Sequence, residues 1–470
     1  MNIKYITYLF SSLFFTFLLM SCNDSNNNDI TYGSSSKDAQ IYSFGMSAPT
    51  PKVSDSLEQV ELNKMFAIVN KTKFAIDQVG KVIYNPDSLP YGVDLEKVLL
   101  TPTFNSTYGI SKVTVYTPDS VGGYTWNLTD SVYVKKSPIS IQVTSREGTI
   151  SRTYKLDIRI HKIDQDATVW EKMAAYPAPL GESKTVSANS TFFTYTIVGG
   201  AVKLYTSPTS AINWTSNVVS GLPATLDTKS ITVFNDVFYA IDKTGKSYQS
   251  VDGKNWKQQT ANEILQSVVG ILPEESLSED QLLVTYKKDS KYYFGKTKDM
   301  KTVSPVTYLS VSPSNNEVPA NFPLSGSAAY TNHSNAKSDR MLIVSSGVDK
   351  SGTKELAHTW LIKNINEGLE LSPSRQDTVW FSGAGVSLFA YNSKTYALKQ
   401  NRMFVSSTWG QVWELAPSKQ MPGKEVPARK DQSVIVDEKN YIWIFGGVSE
   451  NGAYLNDVWR GRLNSLIPKK

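Results

Sequence analysis

Apolar residues along this chain come in short bursts, mostly alternating with polar ones and set apart by clusters of Gly, Pro, Asn, Asp and Ser. Alternation puts one face of an extended segment on a core and the other in water, so the pattern predicts strands. Between residues 38 and 163 the bursts are Lys64-Met-Phe-Ala-Ile-Val69, Lys73-Phe-Ala-Ile76, Lys81-Val-Ile-Tyr84, Lys112-Val-Thr-Val-Tyr116, Ser131-Val-Tyr-Val134, Ile139-Ser-Ile-Gln-Val143 and Thr153-Tyr-Lys-Leu-Asp-Ile-Arg-Ile160. In the last of them Tyr154, Leu156, Ile158 and Ile160 share one face. Turn signals at Asn85-Pro86-Asp87, Pro118-Asp119, Gly122-Gly123 and Glu147-Gly148 separate many of the strands. His161 falls just past the apolar face and reads as a solvated strand end.

About seven short strands with turns between them predict an immunoglobulin-like β-sandwich over 38–164. The disulfide pair of antibody domains is excluded, because the chain holds a single Cys.

From 165 to 470 the pattern repeats, and the repeat decides the fold class. Tyr441-Ile-Trp-Ile-Phe-Gly-Gly447 followed by Leu455-Asn-Asp-Val-Trp459 resembles a kelch repeat. Elsewhere a strand leads through a short polar turn to Trp: Tyr248-Gln-Ser-Val-Asp-Gly-Lys-Asn-Trp256, Tyr205-Thr-Ser-Pro-Thr-Ser-Ala-Ile-Asn-Trp214 and Phe404-Val-Ser-Ser-Thr-Trp-Gly-Gln-Val-Trp413. These are similar to the degenerate Asp-box hairpins of sialidase-like propellers. Gly in such a turn allows positive φ, Ser or Asp bonds the turn amides, and Trp packs between blades. Trp214 and Trp256 are 42 residues apart, Trp413 and Trp459 are 46 apart, and the 157 residues between Trp256 and Trp413 hold three intervals of about 52. Two more units therefore fit, around Leu282–Val306 and Ala328–Trp380, with their Trp lost or displaced. The expected architecture is all-β: the sandwich, then a six-bladed kelch- or sialidase-like β-propeller with Trp256 and Trp413 in its core.

The last unit shows only three strands, Gln432-Ser-Val-Ile-Val436, Tyr441-Ile-Trp-Ile-Phe445 and Asp457-Val-Trp-Arg-Gly-Arg462. Ahead of the first unit, Thr168-Val-Trp-Glu171 matches Gln411-Val-Trp-Glu414 at Val-Trp-Glu. An open ring leaves two bare strand edges. Val169-Trp170 is therefore expected to pair with the 458–463 region and close it.

The first 21 residues differ from everything after them. Lys4 is followed by an apolar stretch from Ile6 to Met20 with no acid, the form of a secretory signal. It ends Leu19-Met20-Ser21-Cys22, which resembles a bacterial lipobox. Cys22 is the one thiol able to take a lipid, and stable anchoring needs two or more acyl chains. No other run of eighteen apolar residues exists to span a bilayer. The polar stretch 22–37 is too poor in apolar residues to fold and reads as a flexible tether.

Composition narrows the chemistry. A net charge of +5 from 48 basic and 43 acidic residues comes with no basic cluster or recognition motif, so nucleic acid is not an expected partner. Three dispersed His (His161, His333, His358) offer neither a metal site nor a base for a nucleophile, and no Gly-x-Ser-x-Gly elbow occurs. Gly383-Ala-Gly385 lies between two strands and reads as a turn, not a phosphate loop. No cofactor is expected. A sialidase would need three Arg converging on a carboxylate beside a Tyr–Glu pair. The repeat region offers Arg340, Arg375, Arg402, Arg429, Arg460 and Arg462, without the opening Arg-Ile-Pro motif. Trp360, Trp380, Tyr396, Trp409 and Tyr454 are candidate surface aromatics; Trp409, before Gly410 in a turn, is the best candidate for ligand contact.

Lipobox, immunoglobulin-like domain and kelch-like propeller together resemble a lipoprotein family of Bacteroides and its relatives, built of domains of unknown function. The resemblance rests on Val82-Ile-Tyr-Asn-Pro-Asp-Ser-Leu-Pro-Tyr-Gly92, Tyr154-Lys-Leu-Asp-Ile-Arg-Ile160 leading into Val169-Trp170, and the Gly446-Gly447 unit. It implies an outer-membrane lipoprotein, with the periplasmic and cell-surface faces both open. The expected function is non-catalytic binding or scaffolding, with a glycan or a cell-surface protein as partner. Glycosidase activity and a purely adhesive role are the alternatives. Cys22→Ser is expected to leave the precursor unlipidated and move the protein from membrane to soluble or precursor fractions. Detergent-dependent fractionation with a processed N-terminus would contradict the lipobox assignment.

Overall fold

A computed structural model describes residues 36–164, 166–210, 212–274, 279–307, 317–365, 368–375, 379 and 381–464. The chain divides into two compact units, the first ending at Asp164. Among the described residues no helix is long and apolar enough to cross a membrane. Cys22 and Trp380 lie outside the described residues.

The first unit contains a six-stranded sheet and a three-stranded sheet. In spatial order the larger runs Ala75–Asp77, Val82–Tyr84, Ser151–Asp157, Ile139–Ser145, Ile110–Thr117, Ser120–Thr125. Val82–Tyr84 runs parallel to Ser151–Asp157, and the other pairs are antiparallel. The smaller sheet joins Met46–Ser47, Lys97–Leu100 and Val132–Tyr133. Both sheets bury side chains in one core that includes Met46, Val98, Ile83, Val115, Ile141 and Tyr154.

The segment Lys64–Val69, expected as a strand, is instead the second half of a helix, α1 (Ser56–Val69). Asp55 caps it, accepting a hydrogen bond from the Glu58 amide at 3.0 Å. Leu62, Met65, Phe66 and Val69 recur at helical spacing and face the core. Within six residues that spacing cannot be told from a buried strand. The cap nine residues upstream, with Glu58 in the first turn, is what decides the conformation.

In the second unit the described residues form six four-stranded antiparallel sheets. Sheets I to V are built from consecutive strands, within 182–217, 232–259, 264–305, 328–373 and 387–415. Sheet VI takes Ser433–Val436, Ile442–Phe445 and Val458–Leu463 from the chain end and Thr168–Met173 from before sheet I. Val169 pairs with Arg462 and Trp170 with Gly461, as the shared Val-Trp-Glu predicts. The six first strands neighbour one another in a closed circuit, that of sheet VI touching that of sheet I.

An apolar core fills each of the six junctions between sheets. The turn before the last strand of a sheet controls how its aromatic enters that core. In sheet II, Asp252 Oδ1 accepts the amides of Lys254 and Asn255, each at 2.8 Å, around Gly253 at φ 70°. Trp256 is thereby turned onto Tyr195 of sheet I, ring centroids 5.7 Å apart. Trp413 of sheet V reaches back in the same way and donates to Thr359 Oγ1 of sheet IV at 3.0 Å. Both Trp are buried, as expected.

Sheet III makes this turn with no Trp. Asp299 accepts the amides of Lys301 and Thr302, and Val303 fills the junction where Trp would stand. This is why the sequence period fades there. Trp413→Ala is expected to cost about 3–5 kcal/mol, measured by denaturant unfolding of the full chain. An unchanged midpoint would mean that the indole supports no junction.

Candidate functional site

Each first strand pairs on one side only, so the six unpaired edges face inward around a common axis. Together they wall an axial cavity of about 390 Å³. Free strand edges present N–H and C=O groups, so this wall is polar even where its side chains are Val or Ile.

Three charged side chains reach the wall: Lys184, Lys229 and Asp431. A second cavity of about 290 Å³ shares Ser183, Lys229 and Asp431 with the first and adds Glu182 and Tyr454. It forms a mouth. Tyr454 is half exposed there.

Local structure fixes the charges in place. Asp227 caps the short turn Thr228–Ser230, accepting the Lys229 amide at 3.1 Å. Ser230 ties that turn to Ile241, whose amide donates to its Oγ at 2.9 Å. On the other side the Asp431 amide donates to Gly385 O at 3.1 Å. Gly385 has φ 90°, and a Cβ there would stand 2.8 Å from Lys430 Cβ, so glycine permits this approach of sheets V and VI. Lys229 and Asp431 then form an ion pair that passes over the entry of sheet I. Glu182 accepts from Thr228 Oγ1 at 3.0 Å and lies 3.8 Å from the Lys243 ammonium.

Burial pushes the Asp227 carboxyl above its ordinary range, with Glu182 adding to the shift and the Lys229 amide and charge opposing it. Lys184 shifts the other way. Burial lowers its ammonium, Lys229 lowers it further, and Asp227 opposes. The Lys184 ammonium makes no hydrogen bond or ion pair among the described residues.

Of the aromatics singled out in the sequence, Tyr454 alone lines a described cavity. Trp409, at φ 57° in the turn before Trp413, is half-buried against the core between sheets IV and V. Trp360 and Tyr396 are buried.

The Arg residues do not converge. Arg429 is buried and makes a two-pronged pair with Asp457 at 2.6 and 2.9 Å. Arg340 is held by Asp280 and the Glu274 carbonyl, Arg402 lies over Phe404, and Arg460 and Arg462 lie over Tyr441. None of these lines the axial cavity or its mouth. His358 contacts Ser374 O at 3.2 Å and His333 pairs with Asp280. Among the described residues no three His, Cys, Asp or Glu gather within reach of one metal ion.

The sequence did not single out Lys184, Lys229, Asp431 or Glu182. A signal exists once the repeats are aligned. Glu182-Ser183, Lys229-Ser230, Gly326-Ser327 and Asp431-Gln432-Ser433 each place Gly or a charge one or two residues before a hydroxyl residue near the start of a first strand, a pattern that does not mark Lys184.

Residues 164–470 match the DUF6242 beta propeller domain and residues 48–158 the DUF6242 N-terminal domain. A search of curated proteins finds no match. Similar solved structures include YjhT, at 12% identity and TM-score 0.44, covering 61% of this chain and 95% of that one. An auxiliary nutrient binding protein from Bacteroides thetaiotaomicron aligns at 12% identity and TM-score 0.40, covering 83% of this chain and 99% of that one. A fungal alcohol oxidase in complex with copper aligns at 8% and 0.42, covering 65% and 79%.

The Lys229–Asp431 pair is partly exposed, 42% and 22% at the two side chains, so screening keeps its contribution small. Lys229→Met is expected to change unfolding free energy by less than about 1 kcal/mol in urea titration. A loss of several kcal/mol would make the pair a strut of the ring and not a feature of its mouth.

Proposed function

Since the chain belongs to the DUF6242 family, we propose that its β-propeller domain is a non-catalytic binding module, carried on a lipid anchor, that takes a polar ligand at the axial mouth. The observation that carries this reading is the axial cavity: six strand edges, mixed polar and apolar walls, and charges concentrated at one opening. Pockets of this size with a few convergent polar groups are where small ligands bind. Tyr454 offers the half-exposed ring on which a sugar face could stack. A glycan is therefore the favoured ligand.

Two finer readings of the architecture accompany it. The closed circuit of six sheets supports six blades. The Gly446-Gly447 pair, with Arg429, Asp457 and Trp459 bonded together beside sheet VI, supports the kelch type. In the first unit, a parallel edge pair in the larger sheet and a separate three-stranded sheet support an immunoglobulin-like sandwich, with α1 inserted between its first strands. The unit's role is then to space the propeller from the membrane, with Cys22 as the site of lipid attachment and the outer membrane as its location. Scaffolding through the same surface is the second reading. Glycosidase activity has less support, since the Arg side chains described above are committed elsewhere.

The test is a glycan-array screen of the mature chain bearing Cys22→Ser. Glycans retained by that protein are expected to bind at least tenfold more weakly after Tyr454→Ala and unchanged after Trp409→Ala. Loss with Trp409→Ala alone would move the binding surface to the outer turns, and an empty array would favour the scaffold reading.

A further inference from the structure

We propose that the axial cavity is a site for an acidic sugar whose carboxylate sits on Lys184. The proposal rests on the axial binding reading above and names the charge of its ligand.

Of the three charged side chains on the cavity wall, Lys229 and Asp431 neutralise one another. Lys184 is left as the cation on this wall whose ammonium has no ion-pair or hydrogen-bond partner among the described residues. Its nearest charged neighbours are Lys229, which repels it, and Asp227, which is bonded to the Lys229 amide. With its ammonium unbonded, Lys184 is the cation on this wall that an entering anion can pair with. Low-dielectric walls focus the field along the axis, so an entering anion is drawn toward Lys184.

The rest of the wall describes the remainder of the ligand. Ser183, Ser187, Thr232 and Ser327 line the cavity, and their hydroxyls make no hydrogen bond among the described residues, so they are available to a ligand rich in hydroxyl groups. Val186, Val233 and Ile271 supply apolar surface between them, suited to the C–H faces of a sugar ring. A bare inorganic anion would leave most of about 390 Å³ unfilled. A phosphate carries nearly two charges against one free cation. A monocarboxylate sugar matches both the charge and the lining.

The experiment uses the mature chain with Cys22→Ser and titration calorimetry at low salt and pH 7. The probes are D-glucuronate and D-glucose, which differ in a carboxylate against a hydroxymethyl group. Glucuronate is expected to bind at least tenfold more tightly than glucose. Lys184→Met should bring glucuronate down to the level of glucose and leave glucose itself unchanged, and Lys184→Arg should keep most of the preference. Equal binding of the two sugars, or glucuronate binding unaffected by Lys184→Met, would overturn the charge assignment while leaving the axial site standing. Absence of binding by either sugar would overturn the proposal, and glycan binding insensitive to Tyr454→Ala would overturn the axial site itself.

Discussion

One strand pairing holds the second unit as a ring. Thr168–Met173 completes sheet VI by pairing along its whole length with Val458–Leu463. Without it Val458–Leu463 would be a bare edge, and the start and end of the circuit would be joined by side-chain packing at the VI–I junction and no strand pairing. The segments are far apart in sequence: Arg460 and Glu171, in contact at 2.6 Å, are 289 residues apart. The entropy of closing so long a loop grows only slowly with length, so a single well-made strand pair suffices. Its side chains are fitted to the task. Trp170 donates to Met421 O at 3.0 Å and lies over Gly461, where a Cβ would come within 2.7 Å of the ring. Next to the seam Arg429 and Asp457 are buried in a pair that also receives the Trp459 indole N–H at 2.7 Å. Burial raises the Asp457 carboxyl, but Arg429, helped by the Trp459 indole and the Lys172 charge, outweighs burial and holds it below its ordinary range. The stability this contributes is full above the ordinary carboxylate range and fades as pH falls through it.

Closure has a functional consequence. Each sheet has an inner and an outer free edge, and a closed ring turns the six inner edges toward the axis. The cavity and its polar wall therefore follow from the architecture before any side chain is chosen. What the side chains add is an ion pair at the mouth, an unbonded lysine inside and a tyrosine at the rim. The apolar junctions, and not the axial residues, hold most of the buried hydrophobic side chains of the ring.

Much of this was legible because it is local. Strands with period-two alternation, the Asp-box turns and their Trp, and the duplicated Val-Trp-Glu are all readable within a dozen residues. Lys64–Val69 was misread because six apolar-rich residues do not distinguish a strand from the buried face of α1. The third repeat was faint because Val303 does the work of a Trp at its junction. The site charges were invisible for a different reason. Lys184, Lys229 and Asp431 are ordinary polar residues in their own neighbourhoods and become a set only when the ring brings sheets I, II and VI together. Trp409 attracted attention as a turn aromatic, yet it packs on a junction core, because the turn that holds it points toward the neighbouring sheet.

Amide hydrogen exchange on the full mature chain tests the closure most directly. The account predicts that amides in 168–173 are protected as strongly as those in 442–445 and 458–463, and that the three segments lose protection together as denaturant is added. Rapid exchange of 168–173 while 442–445 stays protected would contradict it, because the ring would then stand without the strand on which the cavity depends.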